Sequence, residues 1–263
     1  MNSNLTKLSE IVSSAADRIV KERPATVDSK ALDDFVTNLD HELQANIFSK
    51  LKLQYPGIAL LGEESLGENE RLPSDCFVVD PLDGTSNWIA GIRFCGVSVA
   101  RIVEGKTVDA AVLDAFSGTV YCAGAGQGAF KNAARLMVRP TPEKLYAMST
   151  GLMDKTWGDK ALFQDIRKFG KLRNLGAQSI HLCLVAEGAL AFAASIEARL
   201  WDDAAGRLIA SEAGAQYLSY VPAGDLDRPS AKQRSIAVHS SIAAEVASRF
   251  KRHLSQEELD SHA

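Results

Sequence analysis

The chain has few cysteines, no apolar run long enough to cross a bilayer and no block of charge of one sign, and each shortage removes a class of protein. Its four cysteines, Cys76, Cys95, Cys122 and Cys183, lie far apart. They spell out neither a disulfide framework nor a paired-thiolate metal site, and they read as reduced, half-buried thiols of a cytoplasmic protein. A membrane span needs roughly 20 consecutive apolar residues, and a secretory leader needs an apolar core before a small-residue cleavage site. Neither pattern occurs, so no membrane partner is expected. The 29 basic and 33 acidic residues leave a net charge of −4 with the signs interspersed, which makes nucleic acid an unexpected partner. What the chain does have is 263 residues, 46% of them apolar, enough for one large core or two modest ones.

Residues 1–24 carry Leu5, Leu8, Ile11, Val12, Ala15, Ile19 and Val20 at helical spacing and predict an amphipathic helix. A second helix is expected over 38–55, stopped by Pro56-Gly57, so that two helices precede the first strand. Strands follow at 58–61 and 77–79, and both end in acid. From 94 to 138, turns at Glu104-Gly105-Lys106 and Ser117-Gly118 divide strands at 96–103, 108–113 and 119–123. With a last hairpin near Lys131-Asn132 they form an antiparallel meander. Pro140 and Pro142 set a boundary between two domains, 1–140 and 141–263. Beyond it elements alternate: strands at 145–149, 172–174, 190–194, 216–220 and 235–238, helices at 159–169, 178–187, 202–213 and 241–254, and a fraying end from Gln256.

The chemistry concentrates in 76–87, where two carboxylates, Asp80 and Asp83, stand three apart as an apolar run gives way to Pro81, Gly84, Thr85 and Ser86. Strand formers deliver Asp80 to the end of a buried strand, Pro81 excludes a regular interior, and Gly84 lets backbone approach a ligand. Thr85 or Ser86 then starts a helix whose unpaired N–H groups attract an anion. A cation beside a phosphate fits that arrangement. Glu63 also follows a strand end, and Asp202 opens a helix of small residues after Trp201. The alternative for any of these acids is a solvated surface position, and for Asp202 a helix cap. Glu64 and Asp203 adjoin the candidates, but neighbouring side chains diverge, so solvent or a local cap is expected for both. His181, in an apolar helical stretch, reads as a packed, hydrogen-bonded histidine, and His239 as a loop or cap residue. Gly124-Ala125-Gly126-Gln127-Gly128 lies between strands and reads as a hairpin, not a dinucleotide loop.

Asp80-Pro81-Leu82-Asp83-Gly84-Thr85, preceded by Gly62-Glu63-Glu64-Ser65 and followed by Trp201-Asp202-Asp203-Ala204-Ala205-Gly206, resembles the inositol monophosphatase family. The segments 34–40 and 175–179 extend the resemblance, which runs from about residue 5 to residue 250. It implies a magnesium-dependent, lithium-sensitive phosphomonoesterase, homodimeric and cytoplasmic, with a mixed α+β and α/β fold. The fold implied is a layered α-β-α-β-α sandwich of the sugar phosphatase type. The N-terminal domain would carry most metal ligands, and the smaller C-terminal α/β domain would add Asp202 and the substrate wall. By the same resemblance Glu63, Asp80 and the Leu82 carbonyl hold a first magnesium, and Asp80, Asp83 and Asp202 a second. A third sits near Glu63 largely through water. Thr85, supported by Asp40, orients the attacking water alongside Glu63, and Leu82, Asp83, Gly84, Thr85 and Asp202 meet the substrate. Magnesium is a hard ion that takes oxygen ligands, and a metal pair can make the nucleophile, screen a dianion and stabilise the departing oxygen.

Two rivals stand beside this reading. A haloacid-dehalogenase-like enzyme would form an aspartyl-phosphate, but its two acids stand two positions apart where these stand three apart. A regulatory protein could keep the phosphatase fold without the chemistry. Specificity also stays open, because Ser195 stands where inositol enzymes place a glutamate, and Phe192 and Ala193 replace a more polar pattern. Glu197 and Arg199 either supply that contact or form an exposed charge pair. The partner is a small phosphorylated metabolite: an inositol phosphate, histidinol phosphate, fructose 1,6-bisphosphate or adenosine 3′,5′-bisphosphate. For a cationic alcohol, Glu197 is the available acid.

Overall fold

The structure, a computed structural model, describes all residues except 24–25, 32–33, 68–69, 140–144 and 255–263. The boundary at Pro140 and Pro142 and the fraying end from Gln256 lie outside the described residues. The first helical stretch is two helices, α1 (Ser3–Ser13) and α2 (Ala16–Lys21). The hydroxyls of Ser13 and Ser14 donate back to the carbonyls of Ser9 and Ile11, both at 2.6 Å, a competition with the backbone that serine favours where a helix ends. A ribbon of β1 (Val27–Ala31) and β2 (Asp34–Thr37) comes next. It corrects the expectation that the first strand follows the helix at 38–55, because β1 is polar and carries no apolar alternation. Helix α3 (Asn38–Gln54) starts from a reciprocal cap between Thr37 and Asp40.

A seven-stranded sheet follows in sequence order: β3 (Ala59–Gly62), β4 (Asp75–Asp83), β5 (Gly96–Val103), β6 (Lys106–Asp114), β7 (Thr119–Gly124), β8 (Gly128–Lys131) and β9 (Ala134–Leu136). Helix α4 (Thr85–Ala90) lies between β4 and β5. The meander is antiparallel as expected; only β3 and β4 run parallel. Strand β4 does not stop at Val79. It continues through Pro81 to Asp83, and the sheet tolerates the proline because the register against β5 breaks between Asp80 and Asp83.

The second sheet has the order β11-β10-β12-β14-β13. Its chain order is β10 (Leu145–Met148), α5 (Thr150–Gly158), α6 (Lys160–Arg167), β11 (Lys171–Arg173), α7 (Gln178–Glu187), β12 (Phe192–Ala198), α8 (Leu200–Glu212), β13 (Gln216–Ser219), β14 (Gln233–Val238) and α9 (Ala243–Leu254). The helix expected over 159–169 is α6, capped by the Asp159 carboxylate, which accepts from the amides of Ala161 and Leu162; α5 before it was not anticipated.

Strand alternation sets the layers. On one face of the small sheet Ala147, Ala193 and Ala237 join α7, α8 and Val78, Ala100 and Val112 of the large sheet in one apolar cluster. On its other face Tyr146, Met148, Phe192, Ala194, Ile236 and Val238 pack on Leu152 of α5, Ile166 of α6 and Phe250 of α9. The outer face of the large sheet, with Phe77, Val79, Val97 and Val99, covers Leu5, Leu8, Leu43 and Ile47 of α1 and α3. The result is the expected α-β-α-β-α sandwich. All four cysteines are free, and they are fully buried, not half-buried. Among the described residues no helix is long and apolar enough to cross a membrane.

Candidate active site

In a regular strand, residues three apart point to opposite faces. The register break at Pro81 removes that alternation, so Asp80 and Asp83 turn to the same side of β4. Asp202, the third residue of α8, meets them there, with the end of that helix tied to β5 by the Ser98 hydroxyl, which donates to the Trp201 carbonyl at 2.8 Å. The three carboxylates each offer an oxygen, and these oxygens all lie within 4.8 Å of one another.

Each acid is also held from behind. Asp80 accepts from the Leu82 amide at 2.9 Å. Asp83 is gripped by the start of α7, accepting from the amides of Gln178 and Ser179 at 3.1 and 2.7 Å and from the Ser179 hydroxyl at 2.5 Å. Asp202 accepts from the Arg199 amide at 2.5 Å, so it caps its helix and joins the cluster at once. Asp80 and Asp83 are only 1% and 7% exposed. Burial pushes Asp80 well above the usual carboxylate range, and the charges of Glu63, Asp83 and Asp202 push the same way. Burial raises Asp83 to about 6 against the opposing hydrogen bonds of Ser179 and Gln178. Asp202 is raised by burial and by the charges of Asp83 and Glu63. Buried charges of one sign at this spacing call for a counter-charge, and an all-oxygen donor set suits a hard divalent cation.

Glu63 opens a short turn (Glu63–Ser65) after β3. It lies outside the group of three but lines the same cavity of about 180 Å³, with Leu82, Gly84 and Thr85. The Thr85 hydroxyl is 2.9 Å from Asp40 Oδ1 and 2.8 Å from the Leu82 carbonyl. With one proton it donates to one of them at a time. The other oxygen of Asp40 accepts from the amide of Thr37 at 2.8 Å and from its hydroxyl. At Gly84, φ is +92°, and a Cβ would stand 3.0 Å from the Phe94 carbonyl oxygen and 3.2 Å from that of Gly176, so no other residue suits this turn.

A second cavity of about 220 Å³ shares Asp83, Gly176 and Asp202 with the first and continues along Ser149, Thr150, Asn174, Ser195 and Glu197. The Ser195 hydroxyl accepts from the amides of Glu197 and Ala198. Arg199 is not among the lining residues. His181, 4% exposed, also lines this cavity; its Nε2 accepts from the Leu175 amide at 3.1 Å, and burial lowers its pKa to about 4. It is a packed, neutral histidine, as expected. His239 caps the turn at Ser241, and the glycine-rich segment is the hairpin between β7 and β8, its Gly126 and Gly128 amides donating to Glu212. The Glu64 amide donates to the Gln44 side chain at 3.0 Å.

Asp203 corrects the expectation of solvent or a local cap. It is 1% exposed and accepts from Gln178 Nε2 at 2.8 Å, the Tyr217 hydroxyl at 2.7 Å and the Ser235 hydroxyl at 2.6 Å. This carboxylate joins α8 to β13, β14 and the start of α7, the same turn that grips Asp83. The turn of about 100° between successive helix residues aims it at the small sheet while Asp202 faces the cluster, but its partners lie in distant segments and left no local signal. Asp203→Ala would strand three donors, an expected cost of about 3 kcal/mol. Urea unfolding checks this, and a loss below about 1 kcal/mol would reject the hub.

The inositol monophosphatase family matches over residues 2–257. Nus factor SuhB of Vibrio cholerae serotype O1 is 33% identical over 198 residues, covering 71% of this chain and 72% of the relative. Human inositol monophosphatase 1 is 27% identical over 223 residues, covering 81% and 79%. Among solved structures, the extragenic suppressor protein SuhB from Bartonella henselae superposes with a TM-score of 0.81 at 26% identity, over 95% of this chain and 99% of that one. An IMPase of Thermotoga maritima, at 22% identity, gives the same score over 95% and 98% and speaks for the fold alone.

Proposed function

From the premise that the chain belongs to the inositol monophosphatase family, we propose that it hydrolyses a small phosphomonoester with magnesium, by direct attack of water on phosphorus. The observation that carries this reading is the convergence of Asp80, Asp83 and Asp202 within 4.8 Å, beside the Thr85–Asp40 hydrogen bond. Glu63, Asp80 and the Leu82 carbonyl would hold one magnesium, and Asp80, Asp83 and Asp202 another, with a third more loosely near Glu63. When bound, the metal supplies an acidified water and positive charge against the phosphate oxygens. Two or three ions per site, inhibition by lithium and a homodimer belong to the same reading. So does the division at residue 140, which puts Asp202 on a different domain from the other acids.

The chain's own groups do the positioning. Asp40, fixed as an acceptor by Thr37, accepts the hydrogen bond of the Thr85 hydroxyl and leaves the Thr85 lone pairs to accept from the attacking water, which aims it. The amides at Gly84 and Thr85 face the phosphate at the start of α4. The alcohol extends into the second cavity. Thr85→Val, which keeps the shape and removes the hydroxyl, is expected to lower kcat about 10²-fold with little change in KM. Steady-state kinetics checks this, and an unchanged kcat would remove Thr85 from the mechanism.

A second reading, a regulatory protein on the phosphatase fold, is favoured by the relatives at 33–34% identity that carry the name Nus factor. The deciding experiment compares kcat/KM with magnesium for inositol monophosphate, histidinol phosphate, fructose 1,6-bisphosphate and adenosine 3′,5′-bisphosphate. Release from none of them favours the regulatory reading.

A further inference from the structure

We propose that Glu197 is a charge gate on the alcohol side of the site, so that the protein takes phosphomonoesters whose alcohol is uncharged or cationic and rejects those bearing a second phosphate. The inference rests on the phosphatase reading and narrows its substrate class. The cavity that continues from Asp83 and Asp202 is walled by neutral polar groups, among them Ser149, Thr150, Asn174 and Ser195. Among the described residues no lysine or arginine lines it, and its histidine, His181, is held neutral by burial.

One feature of this wall would otherwise attract an anion: the start of α5, whose first amides are unpaired within the helix and carry its positive end. The protein fills that place with its own carboxylate. Both oxygens of Glu197 lie within hydrogen-bond distance of the Gly151 amide, at 3.0 and 3.2 Å. Two further details belong to the arrangement. A Cβ on Gly151 would stand 2.4 Å from Glu197 Oε2, so a larger residue there would displace the end of that side chain. The register of β12 against β14 also breaks between Ser195 and Ala198, where the Ser195 hydroxyl accepts from the Glu197 amide. The chain therefore departs from regular strand geometry at the point where it presents this acid. A second phosphate entering the cavity meets a fixed negative charge and finds the helix start already occupied. At a separation of a few ångströms in a wet groove, that repulsion corresponds to discrimination on the order of tenfold, weakened by salt.

The test compares propanediol monophosphate with propanediol bisphosphate on the magnesium-loaded full chain, by kcat/KM and by calorimetric Kd, for the parent, Glu197→Gln and Glu197→Ala. The bisphosphate-to-monophosphate ratio is expected to rise about tenfold in Glu197→Gln, which removes the charge and keeps an acceptor for Gly151. It should rise further in Glu197→Ala, which also frees the helix start, and the parent's discrimination should narrow at high salt. Ratios cancel any general loss of activity, and Glu197→Gln stands in if the alanine variant folds poorly. Ratios unchanged in the variants overturn the gate and leave the phosphatase reading intact. Affinity ratios that shift without phosphate release from either compound overturn the phosphatase reading and keep the gate. Failure of the parent to bind either compound overturns both.

Discussion

Replacing Asp80 with asparagine is expected to abolish magnesium-dependent phosphate release while making the metal-free protein more resistant to heat. Both effects follow from one position. Asp80 is 1% exposed, stands within 4.8 Å of Asp83 and Asp202, and feels the charge of Glu63 as well. Its carboxylate is held well above the ordinary range by burial first and by those neighbours second, so at neutral pH its ionised form is under stress unless a cation is near. Asparagine has nearly the same shape. Its oxygen can keep the Leu82 amide, and its NH₂ finds acceptors in the surrounding carboxylates. Repulsion falls, and Tm with chelator present should rise by about 3–6 °C at pH 7.5. The same substitution removes the acid that the proposed site shares between two metals, so kcat/KM should drop by at least about 10³-fold. Differential scanning fluorimetry and a phosphate-release assay read the two halves separately. Activity within tenfold of the parent would reject Asp80 as a shared ligand, and a lower metal-free Tm would reject the electrostatic account.

Much of this site could be read locally, because its meaning is local. In 80–85 the acids, the proline, the glycine and the hydroxyl lie within one short segment, and Gly84 is needed for a left-handed turn that other residues strain to adopt. The layers were legible for a similar reason: the alternation of 192–194 and 236–238 sorts small and large residues to opposite faces of the second sheet. What escaped depends on partners distant in sequence. A spacing of three is wrong for one face of a strand, and only the break against β5 reconciles Asp80 with Asp83. Helix α5 begins Thr150-Gly151, residues of low helix propensity, and the acid that accepts from its first turn, Glu197, stands 46 positions later. Asp203 reads as surface until Gln178, Tyr217 and Ser235 surround it. The β1–β2 ribbon was missed because it buries too little apolar surface to leave a pattern.

The stabilisation conferred by magnesium should grow steadily from pH 5 to pH 8, and that difference isolates the cluster where the stability of the metal-free protein alone does not. The folded pKa of Asp83 is raised to about 6 from 3.8. Between those values the native state retains a proton that the unfolded chain has released, so this group's contribution is full below pH 4 and lost as pH rises through 6, about 3 kcal/mol in all. Asp80 and Asp202 are also raised, by burial first and by their acidic neighbours second, and act in the same sense. His181 acts in the opposite sense. Burial lowers it to about 4 from 6.5, so the unfolded chain binds the extra proton and stability rises with pH across that window. The two trends oppose each other between about pH 4 and pH 6 and leave the metal-free curve shallow there. In the proposed site magnesium would compete with protons for the same carboxylates, whereas His181 is held neutral by burial whether or not metal is added. Subtracting Tm in chelator from Tm in magnesium therefore leaves the cluster: a smaller difference at pH 5, below the Asp83 pKa of about 6, and a larger one at pH 8, above it. A difference independent of pH would mean that the metal is held by groups other than these three carboxylates.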